Sequence, residues 1–206
     1  MDLESGQAKA DDENVRKSTA IILSLGVFAA LASGAATIAF FDPSPLNDQA
    51  RRAAERGDFE RAARLQTRYI DLVGQSPRQL YELGRYHARA GHAADAAACF
   101  RAAAVALEKR LTDPDSAGRS NEHGWYNLAC YWSLVGDKDL AFDALETAVR
   151  RGWANPTLAE EDDDFLSIRD DPRFAAAIAD MRQRIEESKR KNELHRMNRP
   201  VDTGGP

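Results

Sequence analysis

Cysteine is nearly absent: the 206 residues hold two, Cys99 and Cys130, and no Cys-x-x-Cys pair. That excludes a thiolate zinc cluster and a dense disulfide scaffold. β-Branched residues are sparse while Ala and Arg are abundant, so helices are favoured over strands. Net charge is small too, because 28 basic and 33 acidic residues nearly cancel. The formal net charge is -5, too small a field to point to nucleic acid. There is no Gly-rich phosphate loop after a strand, no Gly-x-Ser-x-Gly and no His-Glu-x-x-His. Nothing in the motifs asks for a cofactor or a catalytic role.

Long apolar runs are missing too, with one exception. Residues 18–41 contain no charged side chain. As a helix they reach roughly 36 Å, against about 30 Å of hydrocarbon. Ile21, Ile22, Leu23, Leu25, Val27, Phe28, Leu31, Ile38, Phe40 and Phe41 contribute about 3 to 6 kcal/mol towards insertion. The segment is expected to be a transmembrane helix, with residues 1–17 a disordered polar tail. A cleaved signal peptide competes, because Ala30-Leu31-Ala32 supplies small residues at an Ala-x-Ala-like site; a buried soluble helix is the third reading. The apolar run continues nine residues past Ala32 and five acidic residues precede it, which favours the anchor. Arg16 and Lys17 abut its N-side and Asp42 and Asp48 its C-side. The positive-inside rule then puts the N-terminus in the cytoplasm and the bulk of the chain outside it, on the periplasmic side in a bacterium.

Beyond the anchor the chain repeats itself. Leu46…Arg56-Gly57-Asp58…Ala62 is one stretch. A second is Leu80, Leu83-Gly84, Gly91, Ala96, Phe100 and Ala103; a third is Trp125, Leu128-Ala129, Gly136-Asp137, Ala141, Leu145 and Ala148. Gly57 to Gly91 spans 34 residues and Gly91 to Gly136 spans 45. The surplus falls in a polar stretch whose Asp113-Pro114-Asp115 and Gly118 are turn residues. Each repeat reads as helix–turn–helix: Trp125, Leu128, Ala129 and Trp132 make one helical face, Gly136 ends that helix, and Asp137 caps the next. No pair can bury its apolar face alone, so stacking must supply the core.

The spacing of 34 and the order Leu80-x-x-Leu83-Gly84…Ala96-x-x-x-Phe100-x-x-Ala103 resemble the tetratricopeptide (TPR) family. The first repeat departs from that pattern, with Gln66 and Tyr69 where a large apolar and a small residue are usual, and reads as a capping repeat. Residues 126–130 with Gly136-Asp137, Ala148-Val149, Asp164-Phe165 and Arg169-Asp170-Asp171-Pro172-Arg173-Phe174 look like the bacterial tetratricopeptide end-of-group module. The resemblance covers residues 43–183. It implies an all-α fold, a short right-handed α-solenoid of about three helix-turn-helix repeats plus capping helices, preceded here by the one transmembrane helix. The repeats fall at about 43–76, 77–110 and 122–155, the end cap at 156–183, and a charged helical extension and tail at 184–206. It also implies a scaffold or protein-binding role rather than a substrate.

First helices line the concave face of such a solenoid. Turned away from the helix-pair contact are Asn47 and Arg51, then Arg78, Tyr81, Arg85 and Arg89, then His123 and Tyr126. Arg forks and Tyr rings suit an acidic extended peptide or a C-terminal carboxylate; a merely solvated Arg-rich face is the alternative. The carboxylate clamp of chaperone cofactors is not reproduced, since Glu82 stands where that pattern has Asn. The expected partner is therefore a protein or peptide, acidic in character, with the membrane engaged through the N-terminal helix and no nucleic acid. Scaffolding of an envelope complex is the leading expectation; a self-associating structural module and an accessory domain for a separate enzyme are the rivals. The acidic run at 160–164 lacks calcium-loop spacing and reads as helix capping. His87 and His92, five apart across Gly91, do not have the spacing of helical metal ligands. Cys99 and Cys130 fall on neighbouring helices and read as packed thiols, although a disulfide is chemically permitted outside the cytoplasm.

Overall fold

The computed structural model describes residues 42–116 and 121–198. The tail at 1–17 and the expected membrane helix at 18–41 lie outside these residues. Among the described residues no helix is long and apolar enough to cross a membrane.

The described chain is helical: α1 (Ser44–Glu55), α2 (Phe59–Val73), α3 (Pro77–Arg89), α4 (Ala93–Thr112), α5 (Glu122–Val135), α6 (Lys138–Arg150), α7 (Pro156–Glu161) and α8 (Pro172–Met197). Single turns of 3-10 helix lie at Pro114–Ser116 and Asp163–Phe165. Each helix packs mainly on its neighbours in sequence, α1 on α2, α2 on α3, and so on to α6, after which α8 returns to pack on α6 and α7. This is the stacked-hairpin architecture expected from the tetratricopeptide resemblance.

One local device makes the hairpins. Gly57, Gly91 and Gly136 have φ of 79°, 88° and 86°, the left-handed region that glycine enters without a Cβ penalty. The following amide closes the helix end on a carbonyl five residues back: Asp58 to Ala53, His92 to His87, and Asp137 to Trp132. The next helix is then capped. Asp58 Oδ1 accepts from Arg61 N at 3.1 Å and Asp137 Oδ1 from Leu140 N at 3.2 Å. The α2–α3 connection instead uses a capping box, Ser76 with Gln79, ahead of Pro77. Asp171 caps α8 ahead of Pro172.

Two apolar clusters meet on α3. Leu80 belongs to the larger one, with Phe100's neighbours Ala103 and Leu107, then Leu128, Trp132, Leu145, Phe165, Ile178 and Met181. Leu83 and Tyr86 belong to the smaller one, with Ala50, Ala53, Ala62, Ala63 and Ile70. A buried methyl contributes about 0.8 kcal/mol and a buried Leu or Phe about 1.5–3 kcal/mol. The alanine-built contact of α1 with α2 is therefore the weaker of the two. Cys99 packs on the smaller cluster and Cys130 is buried in the larger; both are free thiols. At the C-terminal side Arg173 joins α8 to α6. Its guanidinium reaches Asp139 at 2.8 Å and Asp171 at 3.0 Å while lying 4.2 Å from the Phe142 ring centroid. The charged part of α8 continues outward, with Glu186 taking Lys189 at 2.7 Å.

Close approach of α3 and α4 depends on Gly84. A Cβ there would lie 2.6 and 2.7 Å from ring carbons of Phe100, which is itself buried. Gly84→Ala is expected to lower stability by about 1–3 kcal/mol in urea unfolding followed by circular dichroism, despite alanine's better helix propensity. Adding Phe100→Leu should restore part of the loss. A stabilised Gly84→Ala protein would show that this contact is not tight.

Candidate binding groove

The α3 positions 78, 81, 82 and 85 recur at three- and four-residue steps, so their side chains share one face of the helix. Two adjoining cavities open on that face, and Arg78 and Glu82 line both. The first, of about 330 Å³, is completed by Asn47 and Arg51 from α1, Gln66 and Tyr69 from α2, and Tyr86. The second, of about 340 Å³, is completed by Tyr81 from α3, Tyr126, Cys130 and Tyr131 from α5, and by Asp162 and Asp164.

In the second cavity the chain meets itself. Tyr126 Oη donates to Asp162 Oδ2 at 2.6 Å, and Tyr81 Oη donates to Asp164 Oδ2 at 2.7 Å. The carboxylates come from a turn 36 and 83 residues further along the chain. Asp162 also accepts the Asp164 amide at 3.1 Å through Oδ1, and its carbonyl takes Arg169 Nη2 at 2.8 Å. The Cys130 thiol points at Asp162 Oδ2 from 3.8 Å. Both phenols are held in place by rings. Tyr126 stacks on Trp153 at 3.9 Å and meets Phe165 edge-on at 5.4 Å; Tyr81 stacks on Tyr131 at 4.9 Å. Burial pushes the Tyr81 and Tyr126 phenols far above the ordinary value, and the facing carboxylates push the same way. Tyr131 is pushed up to about 12, again chiefly by burial. Burial likewise raises Asp164 above the usual carboxylate range, with the Tyr81 hydrogen bond opposing it. The Cys130 thiol is raised by burial and then by Asp162.

The residues named from sequence are thus divided. Asn47, Arg51 and Arg78 come together on the first cavity; Tyr81 lines the second, and Arg85 stands 5.7 Å from the Tyr81 ring centroid. Tyr126, expected on an open face, is buried, because the turn at 162–165 covers it. Arg89 lies over the Phe59 ring at 4.9 Å and lines neither cavity. His123 is exposed beside Glu122. The acidic run does supply caps, as read from sequence, but its two buried-side carboxylates also hold the inner helices. That role was invisible because it joins residues far apart. Gln66 was read as a departure from the repeat pattern. It is 1% exposed, its Nε2 donates to the Gln79 carbonyl at 3.5 Å, and its Oε1 is buried without a hydrogen-bond partner.

A phenol favoured in its protonated form supports folding below the unfolded pKa of about 10 and stops doing so as pH rises through the raised folded value. Tyr126→Phe is expected to lower stability by about 1–3 kcal/mol at neutral pH, since Asp162 loses its donor. The same variant should lose stability less steeply than the wild type above about pH 10, measured by denaturant unfolding across pH. Equal pH profiles would mean that this phenol is not shielded in the folded chain.

No protein-family profile and no curated protein sequence matches the chain. Sixteen solved chains resemble it in structure. One is the crystal structure of MamA, 13% identical, with a TM-score of 0.46, covering 94% of this chain and 98% of that one. A likeness of that size assigns neither a family nor a partner.

Proposed function

We propose that this chain is a tetratricopeptide-type binding protein, anchored in a membrane by residues 18–41, that holds an acidic extended segment of a partner protein in the α1–α3 cavity. Its role is scaffolding of an envelope complex, with the helical array on the extracytoplasmic side. The anchor rests on the uncharged apolar run and the Arg16-Lys17 flank.

The observation that carries the binding reading is Gln66. A buried carbonyl oxygen with no donor costs about 1–3 kcal/mol, and here it sits in a cavity rimmed by two guanidinium groups. A peptide offers an N–H for Gln66 Oε1, once that enclosed side chain turns toward the cavity, and carboxylates for Arg78 and for Arg51, whose guanidinium already holds Asp48 at 2.7 Å. A binding protein rather than an enzyme is favoured because Asp162 and Asp164 are held by phenols. The Cys130 thiol is also shifted away from the reactive thiolate.

The test is crosslinking and capture from membranes with three full-length proteins: wild type, Arg51→Glu/Arg78→Glu, and Arg89→Glu. A partner held by wild type and Arg89→Glu but lost from the double variant, at unchanged helicity, is the expected result. Retention by all three removes the groove. Loss from both variants makes the effect one of general charge rather than of this cavity.

A further inference from the structure

The three glycine turns share one backbone but not one cap. The residue after glycine is Asp58, His92 and Asp137 in turn. Both aspartates accept an amide of the following helix, whereas the His92 side chain caps nothing. Histidine thus stands at the start of α4 where the sister turns carry a good cap residue, and its ring turns elsewhere.

Four side chains meet there. His87 stands in the last turn of α3, His92 starts α4, and the Gly91 turn folds their rings to a centroid distance of 5.8 Å. Asp95, in the first turn of α4, completes a set in which ligand atoms from His87, His92 and Asp95 all lie within 4.8 Å of one another. Glu60, from the first turn of α2, brings its Oε1 to 3.1 Å from His92 Nε2. His87 Nδ1 is buried and has no hydrogen-bond partner. Two imidazoles and the Asp95 carboxylate are thus gathered at one turn, with the Glu60 carboxylate beside the second imidazole.

We propose that this turn is a binding site for a divalent transition metal of the zinc class, ligated by His87, His92 and Asp95 with Glu60 against the His92 ring. Imidazole and carboxylate donors suit zinc, nickel or copper(II) rather than calcium or magnesium, which take all-oxygen shells. Tetrahedral zinc at bond lengths near 2.1 Å sets donor atoms roughly 3.4 Å apart, so the set must tighten by about 1.4 Å at most. His92 and Asp95 are exposed enough to make that movement by side-chain rotation. A carboxylate on the other nitrogen of a ligating imidazole fixes its orientation; Glu60, 3.1 Å from His92 Nε2, takes that role if His92 ligates through Nδ1. A metal held here joins α3 to α4 and, through Glu60, draws in α2; α2 and α3 also line the first cavity. The site is separate from the groove and stands or falls independently of it.

The experiment uses the untagged full-length chain in detergent, titrated with Co²⁺ alone by absorption spectroscopy and with Zn²⁺ alone by calorimetry. One saturable site per chain is expected, with zinc displacing cobalt and raising the melting temperature. His87→Gln and His92→Asn should each weaken binding by about tenfold or more, Glu60→Gln less, while His123→Ala and His195→Ala change nothing. His92→Asn supplies the cap that the sister turns have, so it should also raise the metal-free melting temperature while abolishing the metal-induced rise. That keeps loss of binding distinct from loss of fold. No saturable binding, or binding unchanged in His92→Asn, overturns the site.

Discussion

Every hairpin in this chain carries an apolar face that only the next hairpin can cover, and α3 is where that dependence is plainest. Leu80 faces forward into the cluster that runs to Met181, while Leu83 and Tyr86 face back onto the alanines of α1 and α2. Stability then propagates along the array instead of radiating from one centre. The forward cluster holds the aromatic and branched side chains, and the backward one is mostly methyl groups. The helices that frame the first cavity thus belong to the end with the smaller apolar side chains.

The far end is closed by a different interaction. Asp162 and Asp164 enter the inner face of α3 and α5 and are received by phenols, not by arginines. A hydrogen bond to a carboxylate in a partly buried site is stronger than the same bond in water, and an unpaired partner there costs more. Two such bonds, each backed by ring stacking, fix the register of the closing turn against helices far upstream. They also make Tyr81 and Tyr126 elements of the fold. The Arg-lined cavity lies beside them, on the α1 side of α3.

The same division shows where helical periodicity puts the residues named from sequence. Arg51 and Arg78 lie on the cavity where a face argument puts them, because helical periodicity fixes which side chains share a side. Arg89 shares that argument but sits one turn too far along, over Phe59. His87 and His92 lack the spacing of ligands on one continuous helix; the Gly91 turn between them reverses the chain and brings the rings together.

The sequence alone determined the helices, the glycine turns between them and the caps, because these depend on residues within about five positions of one another. It also marked residues 18–41 by the plain absence of charge. What only the tertiary structure decided were the contacts between distant segments: the phenols closing on Asp162 and Asp164, Gln66 left without a donor, and two histidines facing Asp95. Those depend on how one hairpin is set on the next, and a period in the sequence says that hairpins stack without saying which side chains then meet.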